Sequence, residues 1–508
     1  MTNFWILLAI AVYMVAMVYI GVLFSKKNGS SDDFYLGARK LGPWVTAMSA
    51  EASDMSSWLL MGLPGLALAA GIAEVFWTAL GLFLGTYVNW LIVAKRLRVY
   101  SEKTSSSTIP DFFANRFRDK SGLLVAIAAI IIIMFFVPYT GSGFAAIGKL
   151  MNSLFGMDYH LAMILGAIII AAYTIIGGFL AASTTDLIQS IIMTMSLVVV
   201  VVFGLSNAGG IANVGNIVGE LPGYISLTSA YSPSGATNFG FLAIVSTLAW
   251  GLGYFGMPHI LLRFMAIDDK NKLKQSRRIA TVWVFVSMAI AIFIGVVGYV
   301  LVNNGVLTLT DPERIIIEIA KLFAQNSWFT AIVAGLIISG ILASIMSTAD
   351  SQMLAASSSA SENIIKRFFF KNMSQKASIN VARITVAVVS VLGVVFAWNP
   401  NSSVFEIVSF AWAGFGAAFG PIVLFALFWK RTNKFGAFAG ILAGGASVLL
   451  WKFVVAPFGV KNGLDFLNIY ELLPAFIISS LAIVIVSLLT KAPEQEIIDE
   501  FNEVKNDK

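Results

Sequence analysis

Apolar runs about as long as a bilayer is thick recur along this chain, and they fix its fold class before any motif is considered. A membrane-crossing helix needs about 20 predominantly apolar residues. Thirteen such runs are legible, near 4–24, 43–63, 72–93, 122–148, 160–181, 187–207, 239–262, 280–302, 328–352, 381–398, 404–429, 435–455 and 469–490. Their length and continuous apolarity predict helices, because barrel strands are nearer ten residues and alternate in polarity. The expected fold is all-α and polytopic, with about 13 transmembrane helices in a lipid bilayer. Only 12% of the 508 residues are charged, where a soluble domain would have about a quarter. The first run, Phe4–Phe24, has no basic residue ahead of it and is longer than a signal-peptide core, so it reads as a retained span.

Lys and Arg collect in cytoplasmic loops of membrane proteins. With the N-terminus outside, the inner loops hold Lys26, Lys27, Arg39 and Lys40, the clusters within 95–120, 263–278, 366–383 and 430–434, and the tail 491–508. Of the 33 basic residues only Lys149, Arg314, Lys321, Lys452 and Lys461 fall outside, and the long loop 208–238 has none. This placement makes the net charge of +6 a topology signal and excludes nucleic acid as a partner. It predicts a multi-pass cell-membrane protein with its C-terminus in the cytoplasm. The absence of cysteine, with two histidines, His160 and His259, removes disulfides, thiol nucleophiles and histidine metal clusters.

One outer segment, TDPERIIIEIAKLFAQ, has helical character of its own. Asp311 suits a cap and Pro312 the first helical position. Ile315, Ile316, Ile319, Leu322 and Phe323 follow helical spacing, which predicts a short amphipathic helix at the outer interface. Two glycine patterns mislead. GLGYFG (251–256) fits a dinucleotide fingerprint and GFAAIGKL (143–150) nearly fits a phosphate loop, yet neither follows a strand. In membrane runs such glycines signal close helix packing or a break. No hydrolase or triad signature appears, and no residue is assigned a catalytic role.

Three segments carry chemistry. The second run contains Ala52-Ser53-Asp54-Met55-Ser56-Ser57 and then Gly62-Leu63-Pro64-Gly65; the seventh contains TLAWGLGYFGMPH (247–259). Irregular backbone at membrane depth survives only where it lines a protein-walled cavity. Breaks five spans apart predict two five-helix repeats, spans 2–6 and 7–11, with discontinuous helices 2 and 7. An odd number of spans per repeat forces the repeats into opposite orientations, the plan of many secondary transporters. In the ninth run, GILASIMSTADSQ (340–352), Ser344, Ser347, Thr348 and Ser351 occupy i, i+3, i+4 and i+7 and so share one helical face. Freed carbonyls plus facing hydroxyls suit a hard cation.

The motifs SDMSSWLLMGLPG, GLGYFG-x-PHILLRFM, GGFLAASTTD, MSTADSQ and FAWAGFGAAFGPIVLFALFWKR together resemble the sodium/solute symporter family, and within it the sodium/proline symporters, from about residue 30 to 490. The resemblance implies thirteen helices, a five-plus-five inverted core, and sodium-driven uptake of a small amino acid, L-proline, by alternating access. Na+ is the coupling ion it implies. A sodium symporter of the same fold for pantothenate, a sugar or a sialic acid is the alternative, and a membrane sensor the more distant one.

The resemblance further implies a sodium site built from the carbonyls of Ala52, Met55 and Ser344 and the hydroxyls of Ser347 and Thr348. Asp54 matches an acidic residue needed for sodium coupling. The substrate pocket it implies uses Ser56, Ser57, Tyr139, Trp250, Tyr254 and Pro258, and Arg39 matches an arginine near the inner gate. Some members bind a second sodium, which here points to Asp186, Asp350 and Ser351 as a second cation site, for sodium or a proton. Three positions depart from the proline pattern: Glu51 and Ser57 stand where glycine is common, and Met257 replaces a glutamine. Glu51 is either a pocket charge or a residue facing an aqueous cavity. The chain then divides into an N-terminal helix (1–30), a first repeat (31–210), a second repeat (239–434), two further helices (435–490) and a cytoplasmic tail (491–508). The sequence sets no oligomeric state.

Overall fold

The computed structural model describes residues 2–25 and 31–507. The basic pair Lys26 and Lys27 lies outside the described residues. In chain order the helices are α1 (Thr2–Ser25), α2 (Ser31–Leu36), α3 (Pro43–Ala52), α4 (Leu63–Ala70), α5 (Ile72–Val88), α6 (Ala94–Lys103), α7 (Ile109–Arg116), α8 (Leu123–Phe155), α9 (Tyr159–Asn207), α10 (Gly210–Gly219), α11 (Phe241–Leu248), α12 (Pro258–Ala266), α13 (Leu273–Asn303), α14 (Ile315–Ala324), α15 (Trp328–Ser358), α16 (Gln375–Phe396), α17 (Val404–Phe428), α18 (Lys434–Leu450), α19 (Ala456–Lys461), α20 (Leu472–Leu489) and α21 (Gln495–Asn506). Among the described residues the strands are confined to a two-stranded hairpin, Ser229–Ala230 against Thr237–Asn238.

Among the described residues ten helical segments are long and apolar enough to cross a membrane, or eleven when the bent pair Phe241–Phe255 and Pro258–Ala266 counts as one. Two features separate this from thirteen. The second apolar run is interrupted, so neither α3 nor Trp58–Ala70 is long enough alone. The fifth and sixth runs form the single 49-residue segment α9, which would be ~74 Å long if straight. It is not straight. At Gly178 the backbone takes φ 67°, ψ −169°, a region that essentially only glycine occupies. The hydroxyls of Tyr173 and Thr185 are hydrogen-bonded across this point; in a continuous helix they would be ~18 Å apart. The chain therefore doubles back at Gly178.

Side-chain burial explains the arrangement. Three-quarters of the most apolar stretch of α15 is inside the protein, packed against α9, α1 and α8, whereas α16, α18 and α20 present most of their surface outward to lipid. Where backbones approach closely, glycine is needed: a methyl group on Gly81, Gly85 or Gly251 would collide with the facing backbone of α5 or of the 248–251 stretch, and one on Gly256 with Phe415 of α17. This is the packing role anticipated for the glycines of GLGYFG. The outer segment after Asp311 is helical as expected, with the Asp311 side chain accepting from the Glu313 N–H. Its apolar face, however, is packed into the protein: Ile315, Ile316, Ile317 and Ile319 are buried, and α14 lies on α15. It is a cap on the bundle rather than a helix floating at the interface.

The tail was legible only as a short charged segment. It forms the amphipathic helix α21, with Ile497, Phe501 and Val504 buried. Its acidic side pairs with basic residues of other elements: Glu500 lies 2.6 Å from Arg118, Glu503 pairs with Lys103, and Asp507 with Lys270.

Candidate functional site

The first break begins where α3 ends at Ala52. Ser56 donates its N–H to Asp54 O rather than to Ala52 O, so the α-helical ladder stops and the Ala52 carbonyl turns to a different partner. Ser347 Oγ of α15 reaches it at 2.8 Å and Thr348 Oγ1 at 3.5 Å. Ser347 Oγ is also 3.2 Å from Ser344 O. Four of the five groups assigned to the sodium site, Ala52, Ser344, Ser347 and Thr348, are thus brought together, all within fully buried surroundings. Met55 is fully buried in the same break, with its N–H on Glu51 O at 2.8 Å; the α15 hydroxyls reach Ala52 and not Met55. The donor set fits a hard monovalent cation: neutral carbonyl and hydroxyl oxygens on two elements, where each hydroxyl can turn a lone pair inward.

The second break is a stretch of 3-10 helix, Ala249–Phe255, between α11 and α12. Its freed carbonyls are taken by N–H donors. Trp412 Nε1 donates to Trp250 O at 2.7 Å, and Asn89 Nδ2 to Tyr254 O at 3.0 Å. The two breaks meet at Asp54, whose Oδ2 accepts from the Tyr254 hydroxyl at 2.7 Å. Asp54 O accepts from Trp58 Nε1 at 3.0 Å and from the Tyr139 hydroxyl at 3.3 Å. Asp54 therefore joins the breaks through Tyr254, while the Ser347 and Thr348 hydroxyls are bonded to Ala52 O.

The substrate residues gather around this junction. Tyr139, Tyr254 and Ser57 are buried beneath Trp250, and Ser56 is 2% exposed. Ser57 Oγ has no hydrogen-bond partner among the described residues. Pro258 opens α12 as its first helical residue. Above them, Trp250 stacks on Tyr470 with centroids 5.1 Å apart and lies 5.3 Å from Phe405. A cavity of about 710 Å³ lined by Trp250, Phe405, Ser246 and Tyr470 opens over this layer. A neighbouring cavity of about 750 Å³ shares Phe405 and Ser409 with it and reaches the buried pair Lys149–Glu313, 2.7 Å apart. Of the six substrate residues, Trp250 alone lines the first cavity.

The opposite end is closed. Arg39 donates to Met265 O at 2.6 Å, Ser106 O at 2.7 Å, Ser101 Oγ at 3.1 Å and Ser101 O at 3.2 Å. Leu41 adds backbone bonds to the end of α12 and the residues after it, Leu41 N to Ala266 O at 3.1 Å and Asp268 N to Leu41 O at 2.9 Å. The entry to the first broken helix is so tied to the exit of the second.

Asp186, Asp350 and Ser351 are also brought together, but not around open space. Arg263, counted from sequence among the inner-loop cations, is on α12 and 1% exposed. Its guanidinium stands between them. The signal was available: Arg263 is four residues after His259, on one face of a helix started by Pro258. Glu51, the other departure noted from sequence, is fully buried and accepts from Trp90 Nε1 at 2.8 Å, so it does not face an aqueous cavity. Asn89 and Trp90, which help hold the broken segments in place, carry no motif that marks them in sequence; Trp412 lies in the FAWAGFGAAFG run, but nothing there points to Trp250 as its partner.

The Sodium:solute symporter family model matches residues 34–444. The chain is 43% identical over 495 residues, 96% of its length and 99% of the other's, to the high-affinity proline transporter PutP of Bacillus subtilis. It is 42% identical over 503 residues, 98% of its length and 95% of the other's, to the sodium/proline symporter of Escherichia coli. Its fold is similar to that of a substrate-bound, outward-open Na+-coupled sialic acid symporter, with a TM-score of 0.78 over 97% of this chain and 99% of that one at 18% identity. With two broken helices meeting over a cluster of carbonyl and hydroxyl oxygens, and with relatives of this likeness along nearly its whole length, the chain belongs to the sodium/solute symporter family.

Proposed function

We propose that this protein is a secondary active transporter that carries L-proline into the cytoplasm together with sodium, by alternating access. The observation that carries the reading is the pairing of the Ala52 carbonyl with the Ser347 and Thr348 hydroxyls, directly beside the junction of the broken helices; the proline transporters named above supply the solute. Ala52, Met55 and Ser344 offer carbonyls and Ser347 and Thr348 hydroxyls to the ion, with Asp54 as the neighbouring charge. Ser56, Ser57, Tyr139, Trp250, Tyr254 and Pro258 form the solute site. Proline is a zwitterion with a compact apolar ring, so it needs one polar end and one ring-sized apolar wall. Backbone donors and hydroxyls of the first break serve the former, and Trp250 with Tyr254 the latter. Arg39 holds the inner gate. Spans 2–6 and 7–11 act as inverted repeats, each led by its broken helix, within thirteen crossings.

Sodium supplies the driving force by moving down its gradient. One charge is worth ~2.3 kcal/mol per 100 mV and a tenfold gradient adds ~1.4 kcal/mol, so one ion per neutral solute sustains roughly 500-fold accumulation.

Counterflow in proteoliposomes tests the reading: labelled proline against a panel of proline, pantothenate, sugars and sialic acid, with and without sodium. Sodium-dependent proline exchange is expected. Exchange of a sugar or pantothenate with no response to proline would overturn the solute. Orientation, with the N-terminus outside and the tail in the cytoplasm, is tested by single cysteines in this cysteine-free chain: Ser234→Cys should react with impermeant reagent from outside and Asn271→Cys only from inside.

A further inference from the structure

At the start of α8 lies a cavity of about 540 Å³ that shares no residue with the symport site. Lys120, Lys366, Arg367 and Lys371 line it, together with the carboxylates of Asp111 and Glu362. Both carboxylates are already engaged. Asp111 accepts from the Thr108 hydroxyl at 2.8 Å and from Asn363 Nδ2 at 2.9 Å. Glu362 Oε2 is 2.6 Å from Lys366 Nζ, and its Oε1 accepts from the Ser378 hydroxyl. Arg367 stays 3.8 Å from Asp111, too far for a hydrogen bond. Lys120 and Lys371 are exposed, with no ion-pair partner among the described residues. Four cations against two carboxylates leave an excess of two positive charges.

The rim of this basic cavity is apolar. Phe368, Phe369 and Phe370 are exposed, as is Leu123 at the start of α8, and Phe369 reaches 71%. Three exposed phenylalanines in a row are unfavourable in water. Beside lysines and arginine they make the pattern of a segment lying where headgroups meet acyl chains. Gly122, at φ 77°, lets this corner close: a methyl group there would come within 3.0 Å of Phe368 Cζ and 3.4 Å of Arg367 Nε. The corner also belongs to the helix that carries the ion ligands. From Ser347 and Thr348 that helix runs on past Ser358, through the π-helical stretch Ser359–Phe369, to Arg367 and the phenylalanines.

We infer that this cavity binds the phosphodiester of an anionic phospholipid of the inner leaflet between Lys120, Arg367 and Lys371, with the acyl chains along Phe368–Phe370. Phosphate oxygens take charge-assisted hydrogen bonds from lysine and arginine, and basic pockets between membrane helices on the cytoplasmic side suit anionic headgroups. The surplus positive charge repels the ammonium of a zwitterionic lipid and so selects a net-negative headgroup. A free phosphate would gain the cations but leave the phenylalanines uncovered. The bound headgroup fastens the inner end of the helix whose Ser347 and Thr348 serve sodium. The leaflet rests on the orientation proposed above; the binding does not.

Native mass spectrometry of the delipidated full-length protein, titrated with short-chain phosphatidylglycerol, tests it. The tightest-bound lipid on the wild type should be phosphatidylglycerol, at least tenfold tighter than phosphatidylcholine of the same chain length, and an equal concentration of inorganic phosphate should not displace it. Lys120→Gln with Lys371→Gln should weaken that binding about thirtyfold, which is ~1 kcal/mol for each cation. Lys274→Gln with Arg278→Gln removes the same charge from exposed positions of the 263–278 cluster and should weaken it less than threefold. Equal binding of phosphatidylcholine, displacement by inorganic phosphate, or equal losses in the two double variants would overturn the inference. Lys120 and Lys371 are exposed and unpaired, so the fold does not depend on them; were the variant nevertheless to misfold, the wild-type comparison of the two lipids and phosphate decides alone. A protein that binds phosphatidylglycerol in this way but exchanges no proline would lose the solute assignment and keep the lipid site.

Discussion

The two broken helices solve the same problem with different donors. Each frees backbone carbonyls in the middle of a membrane protein, where an unpaired polar group costs several kcal/mol. In the Ala249–Phe255 break the carbonyls of Trp250 and Tyr254 are satisfied by an indole and an amide N–H, groups that only donate. In the Ser53–Ser57 break the Ala52 carbonyl is satisfied by hydroxyls, which donate or accept as needed. A cation arriving at Ala52 finds Ser347 and Thr348 able to rotate and coordinate it. One arriving at Trp250 would meet positive dipole ends. The difference separates labour along the core: the first break can exchange a hydrogen bond for an ion, while the second is a fixed aromatic wall.

That contrast can be broken at several points. The largest effect is expected from Gly85→Leu, because the glycine lies against the backbone of Gly251 in the fixed break and no rotamer avoids the collision. No monodisperse protein should be recovered after detergent extraction; a folded, sodium-activated variant would show the second break to be movable after all. Next, Ser347→Ala and Thr348→Ala each remove one of about five oxygens. Each should raise the sodium concentration for half-maximal proline uptake about tenfold, equivalent to ~1.4 kcal/mol, with maximal uptake at saturating sodium much less affected. Unchanged sodium dependence in both would move the ion away from the first break. Trp250→Ala should then raise the apparent proline constant several-fold, about 1 kcal/mol for one lost ring contact, and leave sodium binding to purified protein unaltered. A shift in sodium binding of the same size would mean that the two breaks do not divide the work. The smallest effect belongs to Glu51→Gln. The amide oxygen still accepts from Trp90 Nε1, so transport at pH 7 should change less than about threefold, well under 1 kcal/mol.

Much of this is readable from residue patterns, and what is not has identifiable physical causes. Gly, Pro and small polar residues inside apolar runs located both breaks, because few other features put such residues at membrane depth. The hydroxyl stripe of α15 followed from helical periodicity, and all four members are buried. What stayed hidden depends on partners far apart in sequence: Trp412 is 162 residues from Trp250, and Asn89 165 from Tyr254. Arg263 was assigned to a loop because counting basic residues locates the membrane boundary without saying on which side of it a given guanidinium lies. The burial of α14 was missed for the opposite reason: an apolar stripe is equally suited to lipid and to a protein neighbour.

The doubling back at Gly178 has a mechanical meaning. Helices joined by loops can shift independently, since a loop of even a few residues absorbs an ångström of travel. Here the reversal is made by one residue and fastened by a hydrogen bond between Tyr173, before it, and Thr185, after it, so the joint has little slack. A tilt of residues 159–177 would act on residues 179–207 through that one residue and that one hydrogen bond. Asp186 is eight residues along that second arm, ~12 Å from the pivot, and Phe179, the first residue of the arm, lies against Arg263. The corner is thus a short stiff lever with a charged group at its end, and Gly178→Ala, strained at that φ and ψ, would bend the lever at its fulcrum.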